Sequence, residues 1–402
     1  MKILVHDYAG HPFQTSLSRE LARRGHDVLH AFFDGDKGPK GVLRLCEGDG
    51  ENLRFEPLNI SQKYDKGSFV RRRFADISYG KNAARLIEHE KPNLVISGNT
   101  PTEAQSFIVA ACKTNKATFI YWVQDFYSIA VSSILKRKLG LMGAAVGMYY
   151  RSLERRQMRS SDGIVTITQA FEDLSIRWGG QKDKVTTIEN WGLLDDIVPS
   201  KKDNPWSRRH GLVGSFNFLY SGTLGFKHNP MFLVELARRM KGRAKVVVVS
   251  GGVAVSVLER CKESDQLENL ILLPLAPFEE FTNVLGAADV AVAAIESEAG
   301  AFSVPSKVQS YLCAGRPVLL AAPLDNLASM IIKRERAGAV VDQDDLPGFL
   351  AAAERMLTDA SARAEFGRNG RTYADLTFDI AAVTDRFLDV FSRAHQRRAA
   401  CY

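Results

Sequence analysis

The segment KILVHDYAGHPFQTSLSRELARRGHDVLHAFF, Lys2–Phe33, carries a strand, a tight loop, a helix and a second strand. Apolar residues recur every four positions from Phe13 to Leu21, which places them on one face of a helix. Pro12 suits the first helical position, because an N–H there would have no partner in the helix, and Gly25 can end the helix. Two strands joined by a helix pair in parallel, so the segment predicts an α/β fold.

The same alternation of strand and helix continues along the chain. Further strands are predicted at NLVIS, ATFIYWV and DGIVTIT in the first half, and at FNFLYSG, AKVVVVSGG, NLILLP, DVAVAA, PVLLAA and GAVVD in the second. Between the halves, the charged, proline-bearing segment from Asn190 onward shows no periodicity, which is typical of a linker. We therefore predict two Rossmann-like, doubly wound parallel-sheet domains that face a ligand-binding cleft.

The predicted domain boundaries follow from this alternation. Residues 1–195 form an N-terminal domain, residues 196–214 a linker and residues 215–375 a C-terminal domain. Residues 376–402 form a last helix that crosses back to the first domain. A length of 402 residues fits two domains of about 200 residues each.

Composition limits the class of protein. Apolar residues make up 45% and charged residues 25% of the chain, as in a soluble globular protein. The formal net charge of +7 is modest for this length, so its location matters more than its sum. The five cysteines are scattered without metal-ligand spacing, which suits a reducing cytoplasm. We expect no signal peptide, and the uncharged run Leu139–Tyr150 is shorter than the roughly 20 residues of a spanning helix.

Dinucleotide and P-loop motifs are the first candidates on such a fold. The first loop, DYAGHPFQTS, lacks GxGxxG, SGGVAVS and SGTLGFK lack it as well, and no GxxxxGK[ST] occurs. Asp34 and Asp36 follow the second strand, where a ribose-binding acid would lie, but without the glycines they carry little weight. The sequence therefore disfavours a dehydrogenase and a P-loop nucleotidase.

The segment SVPSKVQSYLCAGRPV, Ser303–Val318, predicts a helix start that binds an anion. Pro305 in the first helical turn leaves the next backbone N–H groups pointing outward. These donors, the positive end of the helix dipole and the side chains of Ser306 and Lys307 would together hold an anion. Gly315 can end the helix before the next strand. The alternative is a capped core helix with a solvated lysine.

A second candidate anion site, YSGTLGFKHNP, Tyr220–Pro230, follows the first strand of the second domain. Gly222 and Gly225 permit a ligand to approach the backbone closely, and Lys227 supplies a positive charge. Two phosphate-type sites after different strands of one sheet fit a diphosphate.

These and other segments, in this order, resemble a known family. They are the glycine loop before LARRGHDV, WVQDF, TIENW, SGTLGFK, VPSKVQSYLCAGRPVL, and the tail RAGAVVDQDD followed by FGRNGRTYA. Over nearly its whole length the chain resembles GT-B-fold glycosyltransferases of the large retaining family 4. It is similar to bacterial members that build surface polysaccharides such as exopolysaccharide, O-antigen or capsule.

The resemblance implies that the C-terminal domain holds a UDP- or GDP-sugar donor and that the N-terminal domain lies on the acceptor side. Lys227 and the backbone near Val304 would contact the diphosphate, Leu275 would pack against the base, and Gly10 would border the phosphate and sugar. The implied donor-binding residues are Gly10, Gly222, Thr223, Lys227, Leu275, Val304, Ser306, Lys307 and Ser310.

Two donor-side positions depart from the family pattern. Ser310 stands where relatives have the second of two glutamates, and Glu298 is the acid nearest to the position of the first. Thr223 stands where a basic residue often follows the glycine, so Arg316 or Lys307 would have to compensate for the missing charge.

A third departure lies after the strand ATFIYWV, where Gln124 replaces a frequent histidine and Asp125 follows it. Asp125 is the candidate that positions the acceptor hydroxyl or the sugar; alternatively it caps the strand end. The implied catalytic residues are Asp125, Lys227 and Glu298, and Gln124 and Asp125 lie on the acceptor side. The family chemistry is substitution at the anomeric carbon with retention, which depends on stabilising the departing diphosphate. No cofactor or metal is expected beside the nucleotide-sugar substrate.

The basic stretch Ser132–Ser161 carries seven Lys or Arg residues against one acid. Its apolar residues at helical spacing are Leu139, Met142, Val146 and Tyr150. They predict an amphipathic surface that lies on anionic lipid, unless the helix simply packs on its own domain. The predicted membrane-facing residues are Lys136, Arg137 and Lys138. Nucleic-acid binding is disfavoured, because aromatic residues do not interleave with the charges and no recognition motif occurs.

The sequence thus predicts a retaining glycosyltransferase that moves a sugar from a UDP- or GDP-sugar to a lipid-linked or other saccharide acceptor in cell-surface polysaccharide synthesis. We expect it in the cytoplasm, peripheral on the inner face of the plasma membrane. Two alternatives stay open. One is a non-catalytic subunit that binds nucleotide sugars, which the departures at Gln124, Thr223 and Ser310 allow. The other is a nucleotide-sugar epimerase on the same fold.

Overall fold

Parallel strand pairing organises both halves of the chain in the computed structural model of the protein. The structure describes residues 1–35, 40–60, 69–225, 228–295 and 306–400, and for residues 69, 70, 130, 133, 134 and 137–139 it describes the backbone alone. The chain divides into two units, Met1–Asn190 with Ile380–Tyr402, and Trp191–Asp379. Each unit contains one parallel sheet, so the predicted fold class of two Rossmann-like domains is confirmed.

The first unit contains a seven-stranded sheet in the order β3-β2-β1-β4-β5-β6-β7. All of its strand pairs are parallel, and strand order reverses direction between β1 and β4. This doubly wound arrangement leaves a crevice at the reversal, where such folds bind ligands. The strands are β1 (Lys2–Asp7), β2 (Asp27–Phe33), β3 (Leu53–Leu58), β4 (Leu94–Gly98), β5 (Thr118–Val123), β6 (Gly163–Thr166) and β7 (Val185–Thr187).

Helices connect these strands. The first begins at Pro12, as predicted, and ends before Gly25, whose φ of +83° suits glycine. Its buried residues include Leu17 and Leu21, the apolar face that the periodicity predicts. The helices of this part are α1 (Pro12–Arg23), α2 (Phe69–Glu90), α3 (Thr102–Thr114), α4 (Tyr127–Ser160) and α5 (Gln169–Arg177).

Helix α4 is a helical hairpin and not one continuous helix. Gly140 has non-helical φ and ψ values of 56° and −127° inside it. A Cβ atom added to Gly147 would lie 2.7 Å from the Cβ of Ser132, whereas fifteen residues of straight helix would separate the two by about 22 Å. The chain therefore turns back at Gly140, and glycine at 147 lets the two arms touch.

The hairpin corrects part of the predicted amphipathic surface. Tyr150 is buried against Val131 and Leu135, and Val146 packs partly buried beside them, so these residues form the inner seam of the hairpin. Met142 is exposed, as a surface position requires. The spacing predicted one continuous apolar face, but the turn at Gly140 directs half of it inward. Among the described helices, none is both long and apolar enough to span a bilayer.

The second unit contains a six-stranded sheet in the order β10-β9-β8-β11-β12-β13. All of its strand pairs are parallel, and the order reverses between β8 and β11. Strand β11 is buried along its whole length, which explains its purely apolar sequence. The strands are β8 (Asn217–Ser221), β9 (Lys245–Val249), β10 (Leu270–Leu273), β11 (Val290–Ala294), β12 (Val318–Ala321) and β13 (Gly338–Val341).

A short helix forms inside the segment that was predicted to be a linker. Asn204 caps it by accepting a hydrogen bond from the Ser207 N–H at 2.9 Å, and Pro205 occupies its first position. The helices of the second unit are α6 (Pro205–Arg209), α7 (Met231–Arg239), α8 (Val255–Ser264), α9 (Phe281–Gly286), α10 (Ser306–Cys313), α11 (Leu327–Arg334), α12 (Leu346–Thr358) and α13 (Ala360–Thr377).

The last helix, α14 (Ile380–Ala399), belongs to the first unit. Phe387 and Phe391 on it are fully buried, and the Phe387 ring meets the Trp122 ring at 4.9 Å in an edge-to-face contact. Arg398 Nη1 forms an ion pair with Asp162 Oδ2 at 2.7 Å. A sequence segment from beyond the second unit thus completes the core of the first.

Candidate functional site

In the second unit, interlocked loops follow the carboxyl ends of β8 and β9. Gly222 has a φ of +121°, which favours glycine, and its N–H donates to the Val249 carbonyl at 3.0 Å. The Leu224 N–H donates to the Gly251 carbonyl at 2.9 Å. The Ser250 hydroxyl donates to the Gly222 carbonyl at 2.7 Å. We call the carboxyl ends of β8, β9, β10 and β11, with the described residues that follow them, the Gly222 edge.

Lys307 lies at the Gly222 edge. Its Nζ is 5.0 Å from the centre of the Tyr220 ring, and a Cβ atom added to Gly222 would lie 3.5 Å from its Cε. Thr223 is exposed in the same loop, where its carbonyl accepts a hydrogen bond from the Tyr220 hydroxyl at 3.0 Å. The structure therefore brings together a cation and a glycine loop that the sequence separates by about 85 positions.

Helix α10 points its amino-terminal turn toward the same region. It starts at Ser306 in the described chain and ends near Gly315, whose φ of +62° suits the helix end, as predicted. Ser306 is exposed, and Lys307 and Ser310 are half-buried. Because the first backbone N–H groups of a helix lack partners within it, this turn can donate to an anion.

Tyr311 fixes this helix to the strand ends, and sequence analysis missed it. Its buried hydroxyl accepts a hydrogen bond from the Ser221 N–H at 3.1 Å and donates to the Val292 carbonyl at 3.2 Å. Burial raises the pKa of Tyr311, so the hydroxyl keeps its proton. A lone tyrosine on an apolar helix face gives no signal in the sequence that its partners lie on two distant strands.

Leu275 also lies at the Gly222 edge. It is 42% exposed, and its Cδ1 would be 3.5 Å from a Cβ atom added to Gly251. An exposed leucine beside a glycine can offer a flat apolar surface to a planar ligand group.

Arg316 does not lie at this edge. The prediction that it could supply the positive charge missing at Thr223 is therefore wrong. Its guanidinium donates to the carbonyls of Ala288, at 3.0 Å, and Ser200. Ala288 precedes β11 and Arg316 precedes β12, so both lie at the amino ends of the strands, opposite the Gly222 edge. Burial lowers the pKa of Arg316, in keeping with a structural role. Of the two cations, only Lys307 is placed to compensate.

Several predicted site residues lie outside the described residues. They are Lys227, Glu298 and Val304, and so is Pro305. On either side of residues 226–227, the Gly225 N–H donates to His228 Nδ1 at 3.0 Å, and the His228 N–H donates to the Gly225 carbonyl at 3.0 Å. These two bonds join the residues on either side of the segment that contains Lys227.

In the first unit, Gly10 follows β1 next to the reversal in strand order. Its φ is +72°, its carbonyl accepts from the Gly41 N–H at 2.9 Å, and an added Cβ atom would lie only 2.9 Å from Leu43 Cδ1. Both the backbone conformation and the contact therefore require glycine here. We call the carboxyl ends of β1, β4 and β5, with the loops that follow them, the Gly10 edge.

The buried Asp7 holds the Gly10 loop. Its carboxylate accepts hydrogen bonds from the Ala9 N–H at 3.0 Å and from the His11 N–H. With its amide nitrogen toward the carboxylate, Gln14 donates to both Asp7 oxygens, at 2.7 and 2.9 Å. Burial raises the pKa of Asp7, and the nearby His11 lowers it to a lesser extent. Sequence analysis assigned Asp7 no role.

Beneath this loop lies a buried polar cluster. His6 Nδ1 is 2.9 Å from the Ser97 hydroxyl, and His6 Nε2 is 2.8 Å from the Tyr79 hydroxyl. Burial lowers the pKa of His6 to about 3, so the ring is neutral at physiological pH. Such a network makes the end of β1 rigid but carries no net charge to a ligand.

Gln124 and Asp125 follow β5 at the Gly10 edge. The Gln124 and Asn190 side-chain amides exchange two hydrogen bonds, at 3.0 and 2.6 Å, so Gln124 is held in place. Asp125 is exposed and directly precedes Phe126, the residue before α4. Because β5 lies two strands from β1, the carboxyl ends of these strands, near Gly10 and Asp125, are separated by about 10 Å.

The helical hairpin of α4 presents apolar side chains near basic ones. Leu141 is 91% exposed and Met142 is 71% exposed at its turn, and Lys136 is exposed before the turn. The Arg73 guanidinium lies 5.7 Å from the Tyr149 ring, which brings the start of α2 against this hairpin. The side chains of Arg137 and Lys138 lie outside the described residues.

No metal-binding cluster is formed by the residues that the structure describes. Three or more His, Cys, Asp or Glu side chains do not come together at any described position. At the Gly222 edge the positive charge comes instead from the side chain of Lys307 and from the helix start.

Two family models match the chain. A model described as a glycosyl transferase 4-like domain matches residues 11–191. A model described as glycosyl transferases group 1 matches residues 215–359. No curated protein matches the sequence.

Solved structures of the same fold cover nearly the whole chain. HepE from Anabaena, in complex with UDP and glucose, is 14% identical, covers 98% of this chain and 99% of its own, and gives a TM-score of 0.74. Sucrose-phosphate synthase from Thermosynechococcus elongatus is 15% identical, covers 100% of both chains and also gives 0.74. WaaG, a glycosyltransferase involved in lipopolysaccharide biosynthesis, is 14% identical, covers 96% of this chain and 99% of its own, and gives 0.68.

Proposed function

Because the chain belongs to the GT-B-fold glycosyltransferases of the family 4 type, we propose that it is a retaining enzyme. It transfers a sugar from a UDP- or GDP-sugar to a lipid-linked saccharide during synthesis of a cell-surface polysaccharide. The observation that carries the donor assignment is the meeting of the Gly222 loop, Lys307 and the start of α10 at one sheet edge. HepE, which is similar in fold, holds UDP and glucose.

The donor side of the reaction belongs to the Gly222 edge. The diphosphate gains negative charge as the bond to the anomeric carbon breaks, so donors that are already oriented lower the barrier. The Ser306 and Lys307 N–H groups, the Lys307 ammonium and the Ser310 hydroxyl offer such donors, and Leu275 offers an apolar surface for the base. We propose Lys227, Val304 and Glu298 as further donor contacts, and Thr223 as a hydroxyl contact in place of a basic residue.

The acceptor side belongs to the Gly10 edge. Gly10 lets the sugar approach the backbone, and Gln124, fixed by Asn190, borders the sugar. The exposed Asp125 carboxylate positions the acceptor hydroxyl by accepting its hydrogen bond.

We further propose that the protein works in the cytoplasm, on the inner face of the plasma membrane. Lys136, Arg137 and Lys138 precede a turn that exposes Leu141 and Met142, so the hairpin combines basic charge with apolar side chains. Such a surface binds anionic lipid by charge and shallow insertion. A lipid-linked acceptor would be found at the same surface.

Replacing Lys136, Arg137 and Lys138 with glutamine tests the membrane proposal. Each basic residue near an anionic surface contributes about 1 kcal/mol, so the variant should bind vesicles about a hundredfold more weakly. Cosedimentation with phosphatidylglycerol-containing vesicles measures this, and UDP binding should stay unchanged. The same exchange at the exposed Lys201, Lys241 and Lys333 of the second unit serves as control. Failure of the wild type to sediment at low salt would refute membrane binding.

Nucleotide binding and turnover together test the proposed function. Thermal shifts with UDP, GDP and their sugars should show about 2.7 kcal/mol of stabilisation at 100 times the dissociation constant. Slow hydrolysis of the bound donor, with release of UDP or GDP, is expected of an active transferase. Binding without hydrolysis or transfer would instead favour the non-catalytic subunit, which the departures at Thr223 and Ser310 allow. Change of sugar stereochemistry without an acceptor would favour the epimerase.

A further inference from the structure

The central two strands of the second sheet stop pairing before they end. Strands β8 and β11 pair at Phe218 with Val290 and at Leu219 with Ala291. Yet β8 pairs with β9 as far as Ser221, and β11 pairs with β12 as far as Ala294. The sheet therefore opens between β8 and β11 at their carboxyl ends, where the strand order reverses.

The Tyr311 hydroxyl fills this opening. It accepts from the Ser221 N–H on β8 at 3.1 Å and donates to the Val292 carbonyl on β11 at 3.2 Å. One more backbone hydrogen bond between β8 and β11 would have joined such an N–H and such a carbonyl directly. Tyr311 is fully buried, so water does not compete for either bond.

Tyr311 also determines where Lys307 lies. The two residues are four positions apart on α10, so their side chains share one face of the helix. The Tyr220 ring, on the last part of β8, lies 5.0 Å from Lys307 Nζ. The start of α10 and the Gly222 loop are thus held at a fixed separation by one hydroxyl, which bonds to the residue just before Gly222.

We propose that Tyr311 is a positioning residue for the diphosphate of the donor. By acting as a side-chain rung between β8 and β11, it keeps the strand ends apart and sets the distance between the Gly222 loop and the first turn of α10. Both can then contact the same diphosphate. This inference rests on the proposed donor site at the Gly222 edge.

Tyr311→Phe is the test, because it retains the ring and removes only the hydroxyl. We expect UDP or GDP, whichever the wild type binds, to bind about tenfold more weakly, since two buried backbone groups lose their partner and the strand ends can close. UMP or GMP should lose less than about twofold, because one phosphate does not need both loops. With a UDP-sugar donor, KM should rise more than kcat falls. Tyr373→Phe, at a buried tyrosine of the same unit on α13, is the control.

Equal losses for the diphosphate and the monophosphate would overturn the proposal, since a general structural defect affects both. Unchanged UDP binding in the folded variant would overturn it too. If the wild type binds neither UDP nor GDP, the donor site itself is wrong.

Hydrogen exchange on the wild-type protein gives a second measurement that does not depend on the variant. Saturating UDP should slow exchange of the Ser221, Gly222 and Lys307 N–H groups together. Protection of one loop without the other would contradict coupling through Tyr311.

Discussion

The Gly10 loop and the Gly222 loop occupy the same position in two similar sheets, yet they are held in different ways. Each follows the first strand of its sheet, beside the reversal in strand order. The Gly10 loop is held by Asp7, an acid of its own strand, whereas the Gly222 loop is held by Ser250 and, through Ser221, by Tyr311. A cation, Lys307, lies beside the Gly222 loop, whereas the group beneath the Gly10 loop is a carboxyl. The comparison supports a diphosphate at the Gly222 edge.

The largest expected effect tests the charge difference between the two loops. Lys307→Ala should lower kcat/KM by raising its activation free energy about 2–4 kcal/mol, because a charge-assisted contact to the departing diphosphate is lost. Lys307→Arg should restore part of this, since it keeps the charge. Steady-state kinetics with the donor that binds best measures the effect. Lys333→Ala, at an exposed lysine of the same unit, is the control. Near-normal turnover of a folded Lys307→Ala variant would contradict the donor assignment. The same result for Lys227→Ala would exclude Lys227 as a contact of the donor.

A smaller effect separates the roles of the two glycines. Gly222→Ala should weaken UDP binding by about 1–3 kcal/mol through backbone strain at a φ of +121°. Gly10→Ala, strained at +72° and close to Leu43, should lower turnover but leave UDP binding unchanged. Calorimetric titration and kinetics measure the two effects.

Gly242→Ala and Gly25→Ala are matched controls for these variants. Both glycines have positive φ, and an added Cβ atom would meet no atom within 4 Å. Their substitution should lower stability alone. If Gly10→Ala weakens UDP binding as much as Gly222→Ala does, the donor does not belong to the second unit alone.

A last difference concerns stability, and it comes from the acids buried in the first unit. Burial raises the pKa of Asp76 to about 7, and Arg72 offsets this only in part. Since the folded pKa lies above the unfolded value, the stability that Asp76 contributes is complete below about pH 4 and is lost as pH rises through 7. The loss is at most about 1.4 kcal/mol per pH unit. Asp76→Asn should therefore gain stability relative to the wild type between about pH 5 and 8, as urea unfolding can measure.

Buried histidines change the free energy of unfolding with pH in the opposite direction. Their contribution cancels when Asp76→Asn is compared with the wild type. The pKa of His6 is lowered to about 3, so its stabilising contribution is present above about pH 6.5 and lost as pH falls. Both proteins carry His6, and the difference between them at each pH isolates Asp76. Asp325→Asn, at an exposed acid of the second unit, is the control. If the free energy of unfolding of Asp76→Asn changes with pH just as that of the wild type does, Asp76 does not titrate in this range.

Local patterns in the sequence predicted most of the fold. Helix α1, with Pro12 at its start and Gly25 after its end, follows directly from spacing and from the backbone preferences of these residues. Strands β3 and β7 were missed for a physical reason. Both are edge strands, and β3 contains Pro57 and two charged residues, which protect an edge but weaken the apolar signal.

The candidate site was less predictable, because its contacts join distant parts of the chain. Glycine motifs located the two loops, and Pro-Ser-Lys located the start of α10. Nothing local indicates that Tyr311 bonds to β8 and β11, or that Arg316 serves the opposite edge. The turn at Gly140 was also missed, since a glycine within helical spacing does not reveal that the chain reverses there.

The return of α14 to the first unit has a consequence for the order of events during synthesis. Trp122 and its neighbours leave the ribosome early, but their partner Phe387 follows only after the entire second unit, residues 191–379. At about 5–20 residues per second, translation of that unit takes on the order of 10–40 seconds. Throughout this interval the apolar surface that α14 later covers is open to water and to chaperones. The second unit, by contrast, is contiguous and can fold as soon as it emerges.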